Sequence, residues 1–459
     1  MRIHPFIQKN AILLIILVFL ILQAIMLRNA GAAWWDEAVY LGMGKSIFSG
    51  GAVGLWEPAR PVVWPLVLGL FWRLGLDAVL LSRILTVILW ALCVLLSYRI
   101  GSRLGKHTGL IAAAFLALSP LAFLISSLRL TEIPSTFLVL LGVDLFMRKR
   151  MRLCGLVLGL AFMTRFFSIL AILPVLILAY FQARKAGKGF AVTASLGMFF
   201  LIPLVPYLAF NLFRYGNALQ PFITQAFLSA NTGWPWNEPW HFYLTALVKD
   251  NFLVIFLLPG LWFVGKEVKK GKEPYLLVLL LFLFTFFPYN LVQHKEPRFL
   301  VNALPFIAII AAFGLERCFR VLKKRQGLGI GIAMLAFAAF ALPQLQVNRY
   351  DDRSFTPFYS FAEAYQGDGL WVSNPKYVAA ADVEADLVYY PTLDSQRMGE
   401  LNQALPSADA ILLNACDIPC PPAYPGCEAE KQALIQRLEG LFKAKAWSQG
   451  DCSMFIFSR

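Results

Sequence analysis

Long apolar runs recur along the first three quarters of the chain, and they constrain its fold more than any other feature. A bilayer core takes about 20 apolar residues per helix, because a helix satisfies its own backbone groups where water is absent. Eleven such runs lie near residues 11–27, 78–98, 109–127, 133–147, 153–165, 167–182, 190–210, 251–265, 274–292, 299–316 and 327–346. They predict a polytopic α-helical membrane domain over residues 1–348 with about 11 transmembrane helices. Hydrophobic residues make up 59% and charged residues 15%, far from the balance of an ordinary soluble domain. The run 61–76, "PVVWPLVLGLFWRLGL", reads instead as an amphipathic juxtamembrane helix at the outer interface. The N-terminal run carries no clear small-residue cleavage site and reads as a retained span.

Charge gives the orientation. Residues 1–349 hold 33 Lys and Arg against 12 Asp and Glu, whereas residues 350–459 hold 8 against 15. The positive surplus sits in short loops, at Arg2 to Lys9, Arg99 to Lys106, "RKRMR" (148–152), "ARKAGK" (183–188), "KEVKKGK" (266–272) and "RCFRVLKKR" (317–325). The positive-inside rule places all six in the cytoplasm, so the charge reports topology and no nucleic acid is expected. The N-terminus is then cytoplasmic and the tail extracytoplasmic. The outer segments are 28–77, 128–132, the hairpin tip near Arg165, 211–250, 293–298 and the tail.

Four of those outer turns carry charge that composition does not explain. The first loop, "AAWWDEAVYLG" onward, brings Asp36, Glu37, Glu57 and Arg60. Arg129 and Glu132 follow in the second turn, Arg165 at the hairpin tip, and His294, Lys295, Glu296 and Arg298 in "HKEPRF". A single charge at a helix end is readily a snorkelling side chain. Acids and bases from four turns on one face read as a site. Moving a sugar from a phosphate-linked lipid needs a carboxylate to deprotonate the acceptor or hold a metal, and cations to neutralise the leaving phosphate. Asp36 and Glu37 suit the first role, as base or as ligands of a divalent metal, although no cofactor is required by the sequence. Arg129, Arg165, Lys295 and Arg298 suit the second. Tyr40, Arg60, Glu132, His294 and Glu296 are candidates for substrate-binding or supporting roles. The aromatic stretch "NTGWPWNEPWHFY" (231–243) could stack on sugar rings, and Trp34 and Trp35 are expected at headgroup depth.

The tail, 349–459, changes character. Short apolar segments, "GLWVSN", "ADLVYYP", "DAILLNA" and "SMFIFSR", read as strands, and "EAEKQALIQRLEGLFKA" (428–444) as a helix with an acidic start. A small extracytoplasmic α/β domain follows from this pattern. Its cysteines, Cys416, Cys420, Cys427 and Cys452, are expected in one or two disulfides. A zinc site is the competitor, though the spacing lacks paired C-x2-C knuckles, and free thiols are a third option.

The stretch "WWDEAVYLGMGKSIFSGG" after a first span, the hairpin "GLVLGLAFMTRF" (155–166) and "HKEPRFLVNALPFIAIIAA" together resemble the protein O-mannosyltransferase-related family of C-type membrane glycosyltransferases (glycosyltransferase family 39). The last stretch also resembles the related lipid-linked mannosyltransferases. The likeness covers most of residues 15–350. It implies a dolichyl- or undecaprenyl-phosphate-linked sugar donor, a mannose-like hexose, and inversion at the anomeric carbon. It also implies that Asp36 is the catalytic acid of the first loop, with Glu37 beside it, and that Glu132 is the second-loop acid. Glu132 stands where that family usually has Asp, and Arg165 where it often has Lys; both keep the charge. The tail does not resemble the larger domains of eukaryotic protein mannosyltransferases, so the acceptor stays open among glycan, lipid and protein. A transporter or flippase is the rival from another class. It would more naturally show internal repeats and charges near the midplane.

Overall fold

Each of the eleven apolar runs lies on helix, and the chain itself supplies the breaks within them. The computed structural model describes residues 5–27, 31, 33–184, 187, 189–231, 237–347, 353–388, 403, 405–420 and 425–459. The first helices are α1 (Pro5–Met26), α2 (Trp35–Ser49), α3 (Val63–Arg73), α4 (Ala78–Gly101), α5 (Thr108–Ala117) and α6 (Pro120–Ser126). There follow α7 (Glu132–Met147), α8 (Met151–Thr164), α9 (Ile169–Arg184), α10 (Gly189–Leu201), α11 (Leu204–Tyr215) and α12 (Gln220–Asn231). The remainder are α13 (Phe242–Asp250), α14 (Leu257–Lys269), α15 (Glu273–Leu291), α16 (Leu304–Phe319), α17 (Gln326–Ala341), α18 (Thr356–Ala364) and α19 (Cys427–Leu441). They belong to two compact units. A helical unit comprises Met1–Ala30, Arg83–Leu219 and Glu238–Asn348, and a mixed unit comprises Gly31–Ser82, Gln220–Asn237 and Arg349–Arg459.

In the helical unit, capping residues and prolines bend the apolar runs. Ser119 accepts from Ala122 N and Pro120 opens α6, which turns 59° from α5. Pro203 separates α10 from α11 at 50°, and Asn251, accepting from Leu253 N, marks a 117° turn between α13 and α14. Lys323, at φ 46°, divides α16 from α17. Among the described residues, four helices are individually long and apolar enough to cross a bilayer, or seven if each bent pair is one span. The expectation of eleven crossings goes beyond these numbers, since it counts the runs 133–147 and 153–165, which lie on α7 and α8 with only 16 and 14 residues. Close approach comes from glycine. A Cβ on Gly155 or Gly159 would strike the carbonyl of Leu196 or Phe200 on α10, and one on Gly314 would strike the backbone of Phe256 and Gly260. These are the small-residue contacts that membrane helices use in place of a hydrophobic drive.

The mixed unit is built on a five-stranded sheet of order β2-β1-β3-β5-β4, with β1 Leu370–Val372, β2 Ala385–Leu387, β3 Ala410–Asn414, β4 Lys443–Gln449 and β5 Cys452–Ser458. β1 pairs parallel with β2 and β3, and β5 pairs antiparallel with β3 and β4. The turn between β4 and β5 is the two-residue Gly450-Asp451, with Gly450 at φ 56°, as a tight hairpin demands. One face of the sheet packs on α19 through Leu434, Ile435 and Leu438. The other face packs on Phe355, Phe358 and Tyr377, and on Val39, Met43 and Leu55 from the first loop. Each of those first-loop side chains contributes about 1.5–3 kcal/mol by burial. Gly54 also pairs with the sheet edge, donating to Val383 O at 2.8 Å and accepting from Ala385 N at 3.0 Å. The sequence boundary at 348/349 thus separates the tail from the loop, whereas one compact unit contains both. Cys416 is bonded to Cys452 and Cys420 to Cys427, tying the turn after β3 to β5 and closing the approach to α19.

Candidate active site

In the mixed unit, α2 begins at the acidic pair. The Trp34 N–H donates to Glu37 Oε2 at 2.7 Å, so Glu37, which is fully buried, closes the first turn of its own helix. This is half of a capping box, in which an acid at the third helical position reaches back to the N-cap backbone. Asp36 precedes it by one residue, about 100° around the helix, and meets a different partner. Its Oδ1 accepts from Arg60 Nη2 at 2.7 Å, while Arg60 Nε donates to Glu57 Oε1 at 2.8 Å. Tyr40, one turn along α2, lies under the guanidinium, whose Cζ is 5.6 Å from the ring centroid. Asp36, Tyr40, Glu57 and Arg60 therefore form one cluster, with the guanidinium bridging two carboxylates. Trp35, expected at headgroup depth, packs against the apolar clusters of the sheet, while Trp34 is exposed.

The helical unit gathers residues from three turns. Glu132 opens α7 at 1% exposure, and Arg165, which ends α8 in extended backbone, donates from Nη1 to its Oε1 at 2.9 Å. Arg165 also reaches Thr131 Oγ1 at 3.3 Å. Arg298 Nε lies 3.7 Å from the same Glu132 oxygen, and its Nη2 donates to Glu296 Oε1 at 2.7 Å. His294 Nε2 meets that Glu296 oxygen at 2.6 Å. Phe299 is the platform: Arg165 Cζ and Arg298 Cζ lie 5.3 and 5.4 Å from its ring, and Tyr289 stacks on it at 5.8 Å. Burial pushes the Glu296 carboxyl up, but Arg298 and His294 outweigh that and hold it below the usual carboxylate range. The two arginines are thus held side by side by two buried acids and one aromatic face, an arrangement suited to a doubly anionic group.

Among the other candidates, Lys295 turns aside to donate to Glu238 O at 2.9 Å, and Arg129 is buried in the turn before α7. Of the aromatic stretch 231–243, residues 232–236 lie outside the described residues, Trp240 is exposed and Tyr243 is fully buried. No group of three or more His, Cys, Asp or Glu side chains suited to a metal occurs among the described residues. Tyr289, Thr131 and Phe299 were not singled out as site residues by the sequence. Only Phe299, directly after Arg298, carried a signal, since an aromatic next to a buried arginine often serves as its stacking partner.

A model of the Alg9-like mannosyltransferase family matches residues 9–357. That family is close to the protein-mannosyltransferase relatives the loop motifs resemble. No curated protein matches the chain by sequence. Among solved structures, ArnT from Cupriavidus metallidurans bound to undecaprenyl phosphate is similar, with a TM-score of 0.63, 13% identity and 98% of both chains covered. The Archaeoglobus fulgidus oligosaccharyltransferase, tethered with an acceptor peptide, is similar with a TM-score of 0.62 and 12% identity, over 90% of this chain and 69% of that one. At such identities the likeness is one of fold. The fold is that of a polytopic C-type membrane glycosyltransferase carrying a small sheet domain.

Proposed function

The chain belongs to the Alg9-like mannosyltransferase family, and on that premise we propose that it moves a mannose-like hexose from a polyprenyl-phosphate donor to an acceptor hydroxyl. The observation that carries the proposal is the pair Arg165 and Arg298, held over Phe299 by Glu132 and Glu296. A leaving phosphate gains charge as the glycosidic bond breaks, and fixed guanidiniums stabilise that charge without reorganising. The family being one of transferases, the transporter reading is set aside.

The reaction is a single displacement. The acceptor oxygen attacks the anomeric carbon, the carbon–oxygen bond to phosphate breaks with its electron pair leaving on phosphate, and Asp36 takes the acceptor proton. Configuration at the anomeric carbon inverts. Arg60 orients Asp36, and Tyr40 supports Arg60. Asp36 and Glu37 are committed to different partners, which favours a proton-accepting Asp36 over a metal shared by the pair. The chemistry is assigned to the extracytoplasmic face, with the N-terminus inside, because the basic loops 148–152, 266–272 and 317–325 lie at the other ends of the helices. Two disulfides in the sheet domain support the same side. The acceptor is a hydroxyl of a glycan, lipid or protein.

The test is transfer by purified protein supplied with mannosyl-phosphoryl-polyprenol or with a nucleotide-linked mannose, each with and without chelator. Consumption of the lipid donor alone, unaffected by chelator, is expected. Turnover of only the nucleotide donor would overturn the donor assignment. Loss with chelator, restored by a divalent cation, would return Asp36 to a metal-holding role.

A further inference from the structure

Several basic residues at the far ends of the helices from Glu132 and Arg165 are matched by buried acids. Asp144 takes Arg99 Nη2 at 3.1 Å and Arg148 Nε at 2.9 Å, Glu267 takes Lys270 at 3.1 Å, and Glu316 lies 4.0 Å from Arg320. Others are not, among them two arginines at the turn between α7 and α8. Lys149 adopts φ 62°, a region non-glycine residues rarely occupy, and turns its ammonium to Gln182 Oε1 at 2.7 Å, with Glu273 3.8 Å away. Arg150 and Arg152 are exposed, and among the described residues neither pairs with a carboxylate. Arg152 lies 5.9 Å from the Phe199 ring instead.

These two arginines edge an open groove of about 480 Å³ between α8 and α10. The helices run parallel and touch where Gly155 meets Leu196 and Gly159 meets Phe200, and the groove lies about one turn back, at their starts. There Met151, Leu153, Ala191 and Val192 supply an apolar wall and Ser195 a hydroxyl. A cationic rim without acids beside an apolar wall, at the end of a bundle of apolar helices, is complementary to an anionic amphiphile. We propose that this groove binds an acidic glycerophospholipid, with Arg150 and Arg152 on its phosphate, Ser195 on its polar headgroup and the wall against its acyl chain. The site is separate from the donor cluster, which lies at the start of α7 and the end of α8. A topological role alone explains basic residues in this loop. It does not explain an apolar-walled groove beside them.

The test uses full-length protein in neutral detergent, titrated with phosphatidylglycerol, with phosphatidylcholine of identical acyl chains, and with inorganic phosphate. Native mass spectrometry and thermal shift are the readouts. Phosphatidylglycerol is expected to be retained and to raise Tm, the other two not. R150Q/R152Q should lower the apparent phosphatidylglycerol affinity about tenfold to thirtyfold, from two headgroup charges lost, and R150K/R152K should keep most of it. The single variants R150Q and R152Q, each weakening binding in part, carry the test should the double variant fail to fold. Equal response to the two lipids, an equal response to inorganic phosphate, or wild-type affinity in the glutamine variants would overturn the proposal.

Discussion

Glu296 shows how single residues carry this site, because one of its oxygens serves both Arg298 and His294. Its carboxyl is held below the ordinary value of 4.5, so its ionised form is favoured by folding. That stabilisation is present above 4.5 and is lost as pH falls through the lowered folded value. Wild type should therefore be more stable than Glu296→Gln at neutral pH, and the difference in Tm should shrink as pH drops below about 4.5. A difference that stays constant down to pH 3.5 would contradict the pairing. The acids and bases of this cluster were legible in the sequence because charge at membrane depth is costly and so draws notice. Which of two adjacent carboxylates does chemistry was not legible. Glu37 reaches back to Trp34 N and Asp36 reaches out to Arg60, a choice made by a guanidinium 24 residues away.

The helices were legible as elements because an apolar run long enough for a bilayer has one structural solution. Their bends were harder to see. Ser119, Pro203 and Asn251 look unremarkable within long apolar stretches, yet each opens or caps a new helix. The sheet's helix and four of its strands follow from local apolar spacing, whereas the pairing of Gly54 with Val383 and Ala385 joins segments far apart in the chain and leaves no local trace. Packing between elements yields a direct test. Gly314→Leu drives a side chain into the backbone of Phe256 and Gly260, and should destabilise by about 1–3 kcal/mol or more. Gly331→Leu, at a position with no neighbour within 4 Å, should stay within about 0.5 kcal/mol of wild type. Thermal unfolding in one detergent compares them. Equal effects would mean that α14 and α16 do not approach at Gly314.

At the scale of the molecule, composition and loop charge made the class and the expected sidedness readable, while the division into units was not. The first loop carries a core patch, Val39, Met43 and Leu55, that the tail's sheet needs, and apolar side chains do not announce which distant surface they will cover. Sidedness has its own check: an extracytoplasmic reporter fused after Arg459 should be active, and one fused at Lys270 inactive, with the reverse pattern placing Asp36 on the wrong side. The central claim is that Asp36 accepts the acceptor proton during transfer from a lipid phosphate. It is tested by the rate of sugar transfer from a polyprenyl-phosphate donor by purified, folded Asp36→Asn protein, beside Glu37→Gln. Asp36→Asn should lose a factor of about 100 to 10,000 in rate, while Glu37→Gln, which keeps its acceptor oxygen for the helix cap, should stay within about threefold. Turnover by Asp36→Asn within about threefold of wild type, far short of the loss expected for a general base, would contradict the account.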